Sequence, residues 1–261
     1  VVKKISEQEK EIKRESFIMF DKKFLKSAEA QSKLLLVMAY IKIYAALNGC
    51  VGMSVNYLVK KLGYKPDQHK GRINDRVIEA LKWLELNNYI CIYAKLHTST
   101  EVVLEKIKAT DCFIVQINFD NDIFNVKDKY VILKEKEYEV IVGSEVTKCD
   151  KQDLLNVFLN IKKYMNFDSV SANLCYPSHA TLCKECKITS TGAMNNIIKE
   201  LLAMGILYTY NSGQYSDGNG NIKYANSFYA VDEKELDPGS CDRIIKNYYS
   251  SQGISVEKFI N

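Results

Sequence analysis

The run from Leu182 to Leu207, Leu-Cys-Lys-Glu-Cys-Lys-Ile-Thr-Ser-Thr-Gly-Ala-Met-Asn-Asn-Ile-Ile-Lys-Glu-Leu-Leu-Ala-Met-Gly-Ile-Leu, reads as a helix, a short turn, a second helix and the start of a strand. A looser copy of the same order lies between Leu58 and Ile90. Val77, Leu81, Leu84 and Ile90 match Met194, Ile198, Leu201 and Leu207 at a constant offset of 117 positions, whereas Leu58 matches Leu182 at 124. The difference of seven falls between the two helices, where the first copy has Gly63, Tyr64, Lys65, Pro66 and Asp67 and the second only Lys187 to Ser190. A shared fold tolerates insertions confined to a loop. A repeated unit of this kind therefore constrains the architecture before any motif is consulted.

The rest of the composition fits folded material. With 47% hydrophobic residues and three Pro in 261 positions, the chain has the makings of one or two domains and no long disordered tract. The net charge of +4 and pI near 8.4 are mildly basic, so any attraction to nucleic acid must come from local patches. The longest apolar run, from Leu34 to Ala46, is broken by Lys42 and falls short of the roughly 20 residues that span a bilayer. No membrane segment is expected. The opening Val-Val-Lys-Lys-Ile-Ser-Glu-Gln-Glu-Lys has no apolar core behind its charges, so no secretory signal is expected there, and the expected location is cytoplasmic. Eight cysteines sit mostly inside apolar stretches, the pattern of reduced, buried thiols.

Along the chain, residues 3 to 15 form a charged, helix-permissive arm, and Phe17-Ile-Met-Phe20 is a short apolar block suited to a strand or a helix end. Leu35, Leu36, Ala39, Ile43 and Leu47 recur with helical period up to Asn48-Gly49. Ser54 is placed to cap a helix from Val55 to Leu62. A longer helix from about Lys70 to Leu86 buries Ile73, Val77, Leu81 and Leu84, with Trp83 on its flank, and stops at Asn87-Asn88. Strands follow from Tyr89 to Leu96 and from Cys112 to Phe119, joined by a long loop over residues 97 to 111. Between about Asn121 and Asp150 the composition turns polar, which suggests a boundary. Asp153 to Tyr164 is again helical, striped by Leu154, Leu155, Phe158 and Ile161. The second copy then runs from a Ser178-capped helix ending at Cys186 to a strand at Ile206 to Tyr210, a Gly-rich hairpin tip, and a return strand from Lys223 to Val231. Ile244, Ile245, Tyr248 and Tyr249 give the tail a short amphipathic helix.

Helix, helix and hairpin in this order are the core of a winged helix. The expected fold class is α+β, with two tandem winged helix-turn-helix domains related by internal duplication. Residues 1–125 would hold the amino-terminal arm and first domain, 126–150 a linker, 151–232 the second domain, and 233–261 the tail. The stretch Tyr176-Pro-Ser-His-Ala-Thr-Leu-Cys-Lys-Glu-Cys-Lys-Ile-Thr-Ser-Thr, with Ile198 to Leu207, resembles the winged-helix domains of bacterial regulators and replication proteins, Cys183 and Cys186 standing where that pattern has Ala and Leu. The amino-terminal half, with Phe17-Ile-Met-Phe, the Leu34 to Ala46 helix and Ile78-Glu-Ala-Leu-Lys-Trp-Leu-Glu-Leu-Asn-Asn-Tyr-Ile, is similar to replication initiators of plasmids and phages from low-GC Gram-positive bacteria. The likeness covers roughly residues 17 to 232. It implies sequence-specific binding of double-stranded DNA and initiation at a plasmid or mobile-element origin, with host replication proteins and a second copy of the chain as further partners. A winged-helix transcriptional regulator, or a protein-interaction scaffold built on the second domain and tail, are the alternatives.

Candidate DNA-binding residues fall in four groups. His69, Lys70, Arg72, Asn74 and Arg76 cluster at the amino end of the long helix, on positions that Ile73, Val77 and Leu81 leave facing away from the core. Amino-terminal residues of the second helix reach base edges in helix-turn-helix docking, and Arg72 and Arg76 are the foremost candidates. The same cluster also reads as a solvated charged face shared with Asp75 and Glu79. On the second copy, Thr191, Asn195, Asn196 and Lys199 offer amides for adenine and a hydroxyl for phosphate, although the helix opens without Arg or Lys and suits a protein partner as well. Lys95, His97, Lys106 and Lys108 in the first wing, and Tyr215, Asn219 and Lys223 in the second, are candidate backbone contacts.

Signals for chemistry are weaker. Cys175, His179, Cys183 and Cys186 have the residue types of a closed zinc site. Cys183 and Cys186 occupy core positions, however, where thiols pack as small hydrophobes, so neither metal nor cofactor is expected. Asp120 with Asp122, and Glu135 with Glu137, lack a third ligand. The three His lie in expected loops and basic patches with no nucleophile to serve, and Gly213 to Gly220 is not followed by a phosphate-binding helix. A non-enzymatic protein is the expectation.

Overall fold

The computed structural model describes residues 17–22, 25, 33–67, 69, 71–94, 104–119, 130–145, 148–165, 173–216, 221–254, 256 and 259–260. Within them the chain is a mixed α/β protein of eight α-helices and four small antiparallel sheets. Strand β1 (Phe17–Asp21) precedes a first unit of α1 (Leu34–Tyr44), β2 (Cys50–Met53), α2 (Val55–Lys61), α3 (Ile73–Leu86), β3 (Ile90–Tyr93) and β4 (Phe113–Ile117). Strand β5 (Tyr130–Lys134) and α4 (Glu135–Gly143) lead to a second unit. It comprises α5 (Lys151–Tyr164), β6 (Leu174–Cys175), α6 (His179–Cys186), α7 (Thr191–Ala203), β7 (Tyr208–Tyr210), β8 (Gln214–Ser216), β9 (Ile222–Tyr224) and β10 (Phe228–Ala230). Helix α8 (Pro238–Ser251) and β11 (Phe259–Ile260) close the chain.

The two units share one topology. Each runs helix, strand, helix, helix, strand and returning strand, and the returning strand lies in the middle of its sheet, in the orders β2-β4-β3 and β6-β10-β7. The landmarks paired in the sequence are buried in both units: Leu58 with Leu182, Val77 with Met194, Leu81 with Ile198, Leu84 with Leu201, and Ile90 with Leu207. Local chemistry explains the helix starts. Ser54, Ser178 and Ser190 each accept a backbone N–H from three residues on, satisfying a donor the helix leaves open. Asp150 caps α5 in the same way, through the Gln152 N–H at 2.8 Å.

The supporting helices depart from the expected one-sided stripe. Every residue of α1 from Leu34 to Ile41 is buried, because the helix is enclosed by α3, α5, β1 and β4. Leu47, expected on its stripe, stands instead in the turn beyond the helix and is fully exposed. Helix α5 is buried almost all round as well, its polar residues included. Those residues are satisfied internally. Lys162 meets Glu137 of α4 at 2.7 Å, Asn156 donates to the Cys186 carbonyl at 3.2 Å, and Lys163 pairs with Glu185 and reaches Asn160.

The stretch from 126 to 150, expected as a polar linker, is built into the fold from residue 130 onward. β5 pairs with β1 in register Phe17↔Lys134 to Asp21↔Tyr130, and Val131, Leu133, Tyr138 and Ile141 are buried. Its surface charges hide this alternation, since Glu137 is spent on Lys162 and on the Lys134 N–H. One contiguous core runs from Ile18 to Tyr229. Lys33, buried and left-handed at φ 61°, ties the units further: it pairs with Asp150 and donates to Tyr64 Oη at 3.0 Å, while Tyr64 donates to Asp150 at 2.8 Å. Burial alone would raise the Asp150 carboxyl, but Lys33 and the surrounding donors hold it below its usual range.

A smaller cluster of Tyr215, Ala225, Phe228, Cys241, Ile245, Tyr249 and Val256 seats α8 against the second hairpin. The expected amphipathic tail helix is present, and its apolar face is covered by the chain itself. β11 extends the same hairpin, giving the order β11-β8-β9. The charged arm over residues 3 to 15 lies outside the described residues.

Candidate nucleic-acid interface

The first face is built on α2 and α3. Gly71 at φ 75° turns the chain into α3, and Arg72 sits at the N-cap with extended backbone. One helical turn on, Arg76 lies over Arg72 on the same side, and both are exposed. The nearby acids form no ion pair with them among the described residues. Asp75 accepts the Gly71 N–H at 2.6 Å and Asp67 the His69 N–H at 3.0 Å, so both carboxylates are turned into the loop backbone. Among the described residues neither arginine has a carboxylate partner. His69 is exposed beside them.

Asn74 behaves differently from its expected role. It is 3% exposed, donates to Asn56 Oδ1 at 3.0 Å and accepts the Asp67 N–H at 3.1 Å. Asn56 in turn gives its N–H to the Ala109 carbonyl at 2.9 Å. The pair therefore pins the starts of α2 and α3, the intervening loop and the approach to β4 to one another, and Asn74 faces the scaffold, not solvent. Through the Ala109 contact, the exposed Lys106 and Lys108 are held beside α2. Lys70, Lys95, His97 and Asn219 lie outside the described residues.

Three lysines overlooked in the sequence join this face. Val55, Leu58 and Val59 turn α2 inward, which leaves Lys60 and Lys61 exposed, and Lys65 is exposed in the following loop. From Ser54 to Leu86 the one exposed acid among the described residues is Glu79. The Lys60-Lys61 pair stands on the first helix of the motif, away from the second-helix positions where base readers are expected.

The second face lies on α6 and α7. Met194, Ile197, Ile198 and Leu201 anchor α7, so Thr191, Asn195, Asn196 and Lys199 are presented together on the open side. Lys184 and Lys187, also overlooked, are exposed on α6 and the turn after it. Glu185 is taken up by Lys163 and Glu200 is half-buried, so no described residue between His179 and Ala203 is an exposed acid.

No protein-family model and no curated protein matches the chain. Among solved structures it is similar to a Pi initiator protein crystallised in complex with iteron DNA, at 12% identity and a TM-score of 0.44, over 85% of this chain and 100% of that one.

The candidate metal ligands are engaged separately. Cys175 Sγ donates to the Ile161 carbonyl at 3.4 Å, and His179 Nε2 meets Tyr229 Oη at 2.8 Å. Cys186 is buried, and Cys183 Sγ lies 3.8 Å from the Ser190 carbonyl. Burial pushes the Cys175 and Cys186 thiols up, the latter to about 12, and lowers His179 despite a hydrogen bond to the Asn195 side chain. No group of three or more His, Cys, Asp and Glu among the described residues is arranged around a metal position. No described helix is long and apolar enough to cross a membrane.

Of the second-wing candidates, Lys223 is exposed but Tyr215 is not. Tyr215 is 3% exposed and stacks on Tyr249 with ring centroids 4.6 Å apart.

Proposed function

We propose that this protein is a non-enzymatic, cytoplasmic binder of double-stranded DNA with two winged helix-turn-helix units, acting in replication initiation at a plasmid or mobile-element origin. The observation that carries the binding reading is the pair of basic helix faces, one in each unit, whose neighbouring carboxylates, Glu79 excepted, accept loop N–H groups, are ion-paired or are half-buried. Arg72 and Arg76 read base edges, because amino-terminal residues of the second helix enter the major groove in this geometry. His69, Lys60, Lys61, Lys65, Lys106 and Lys108 hold phosphates. Thr191, Asn195, Asn196 and Lys199, with Lys184 and Lys187, grip a neighbouring segment. The role in initiation rests on the resemblance of the amino-terminal half to plasmid and phage initiators, and host replication proteins complete the assembly.

The test is binding to the DNA upstream of the gene at two salt concentrations, with Arg72→Ala/Arg76→Ala beside wild type. Loss of sequence preference with retained folding is expected, and undiminished specific binding by the double variant sinks the role given to α3. Direct repeats in the protected DNA support initiation; an inverted repeat over the promoter supports regulation.

A further inference from the structure

Asn195, exposed on α7, is held from behind. His179, the first residue of α6, is hydrogen-bonded to the Asn195 side chain. The imidazole is itself tied to the core: its Nε2 lies 2.8 Å from the hydroxyl of Tyr229, a β10 residue that is 1% exposed. Tyr229, His179 and Asn195 thus link the core of the second unit to its candidate DNA face. Tyr229 is bonded in turn to Ser227, whose Oγ accepts a hydrogen from Asn211 Nδ2 at 3.0 Å.

The protons give this series a direction. With Ser227 Oγ accepting from Asn211, its hydroxyl hydrogen is left for Tyr229, and Tyr229 donates its own to His179 Nε2. Burial keeps the ring neutral, with one N–H and one lone pair. Nε2 uses the lone pair, so the N–H stands on Nδ1, and the Asn195 side-chain atom able to accept it is Oδ1. The bond fixes the amide against a flip and leaves both Nδ2 hydrogens for a partner outside. Resting on the DNA-binding reading above, we propose that His179 is a positioning residue that holds the Asn195 amide by its oxygen, so that α7 offers the NH2 group to N7 of a purine in the major groove. N7 is an acceptor on adenine and guanine alike. Phosphate oxygens accept as well, and the experiment separates the two sources. His179, whose residue type suits a zinc ligand, and the buried Tyr229 thereby set a DNA contact that neither makes.

The experiment uses the full chain and a duplex of the DNA upstream of its gene, in which each purine of the protected region is replaced in turn by its 7-deaza counterpart, which lacks the N7 acceptor. At one position the replacement should weaken wild type about fivefold. Asn195→Ala should bind the unmodified duplex about fivefold more weakly and lose that sensitivity. His179→Phe should lose most of it, and Tyr229→Phe, which keeps the buried ring and removes only the hydroxyl, should lose part. Asn195→Ala/His179→Phe should bind no more weakly than Asn195→Ala, because His179 acts through Asn195. Thermal unfolding of each variant accompanies the binding curves; should His179→Phe fail to fold, Tyr229→Phe carries the test, and full sensitivity there overturns the role. Undiminished sensitivity in a folded His179→Phe, or additive losses in the double variant, likewise overturns the positioning and leaves the DNA-binding reading standing. Equal weakening of every duplex by Asn195→Ala, with its sensitivity to the 7-deaza purine unchanged, assigns the amide to a phosphate and overturns the N7 contact. Failure of wild type to bind any duplex removes the DNA-binding reading and this contact with it.

Discussion

The side-chain amide of Asn74 donates to Asn56 Oδ1 at 3.0 Å, joining the first turn of α3 to the first turn of α2. A residue placed by helical spacing among the base readers is thus a brace. Asn74→Ala leaves the Asp67 N–H and Asn56 without their partner and is expected to cost about 1–3 kcal/mol. Thermal melts should show this loss, while base preference at each position of the bound site stays as in wild type. A changed preference without a change in melting would restore Asn74 to the reading face.

Lys60, Lys61 and Lys65 are assigned to phosphates, and their contribution is electrostatic. Each single substitution to Gln should lower the slope of log affinity against log salt by about 1 and weaken all sequences alike. Stability should stay within about 0.5 kcal/mol of wild type, since the three side chains are exposed. Titrations over a range of salt concentrations measure the slope directly.

Glu137 and Lys162 meet at 2.7 Å with side chains 11% and 3% exposed. Glu137→Leu strands a buried ammonium and should destabilise the chain by about 3–5 kcal/mol. Adding Lys162→Met removes that ammonium and should recover much of the loss. Denaturant unfolding of the two single variants and the double gives the coupling energy, and additive losses would contradict the pairing.

Burial lowers Lys42 to about 8, with its amine on the Met19 carbonyl. A folded value depressed below the unfolded one of about 10.4 means that the charged form is disfavoured by folding. That cost is complete below pH 8 and fades as pH rises towards about 10.4. The stability of Lys42→Met minus that of wild type should therefore be most favourable at pH 7 and decline through this window. A difference independent of pH between 7 and 10 would place the ammonium in water.

Thiol reactivity should divide by burial. Cys91 and Cys112 are exposed and should label first with an alkylating agent at pH 8. Cys175, Cys186 and Cys241 should react only on unfolding, because burial holds Cys186 at about 12 and Cys241 at about 11, with Cys175 raised further. Mass spectrometry of the labelled peptides gives the order, and protection of Cys183 by zinc would reopen the metal site.

What was legible in the sequence follows from how far each element depends on its neighbours. The α6–α7 pair announces itself because Ser178, Ser190 and the spacing of Met194, Ile198 and Leu201 are local signals. α1 and α5 were found as helices, but a helix buried on every side has no polar stripe to show which face meets what. β2 and β5 were missed because four or five residues of alternation between polar turns say little until β4 and β1 lie alongside. The second wing, expected as one hairpin from Ile206–Tyr210 to Lys223–Val231, is divided into β7 with β10 and β8 with β9, and β8 lies within the expected tip. Strands of three residues show too little alternation to be read before α8 and β11 lie alongside. In the candidate interface, Arg72 and Arg76 were readable from charge. That Asp67 bonds the His69 N–H and Asp75 the Gly71 N–H, with neither arginine in an ion pair among the described residues, depends on the fold of this loop.

Gly63 draws the last consequence. At φ +78° its missing side chain leaves room for the Val142 carbonyl and the Lys151 amine, so backbone of the first unit abuts the end of α4 and the start of α5. A methyl group there would drive these segments apart. With β1 paired to β5 across the expected boundary as well, cutting the chain near residue 125 would divide a sheet and expose an enclosed helix. The two units therefore share a sheet and a core, and a fragment ending near residue 125 should fold poorly, with denaturant unfolding of that fragment as the measure.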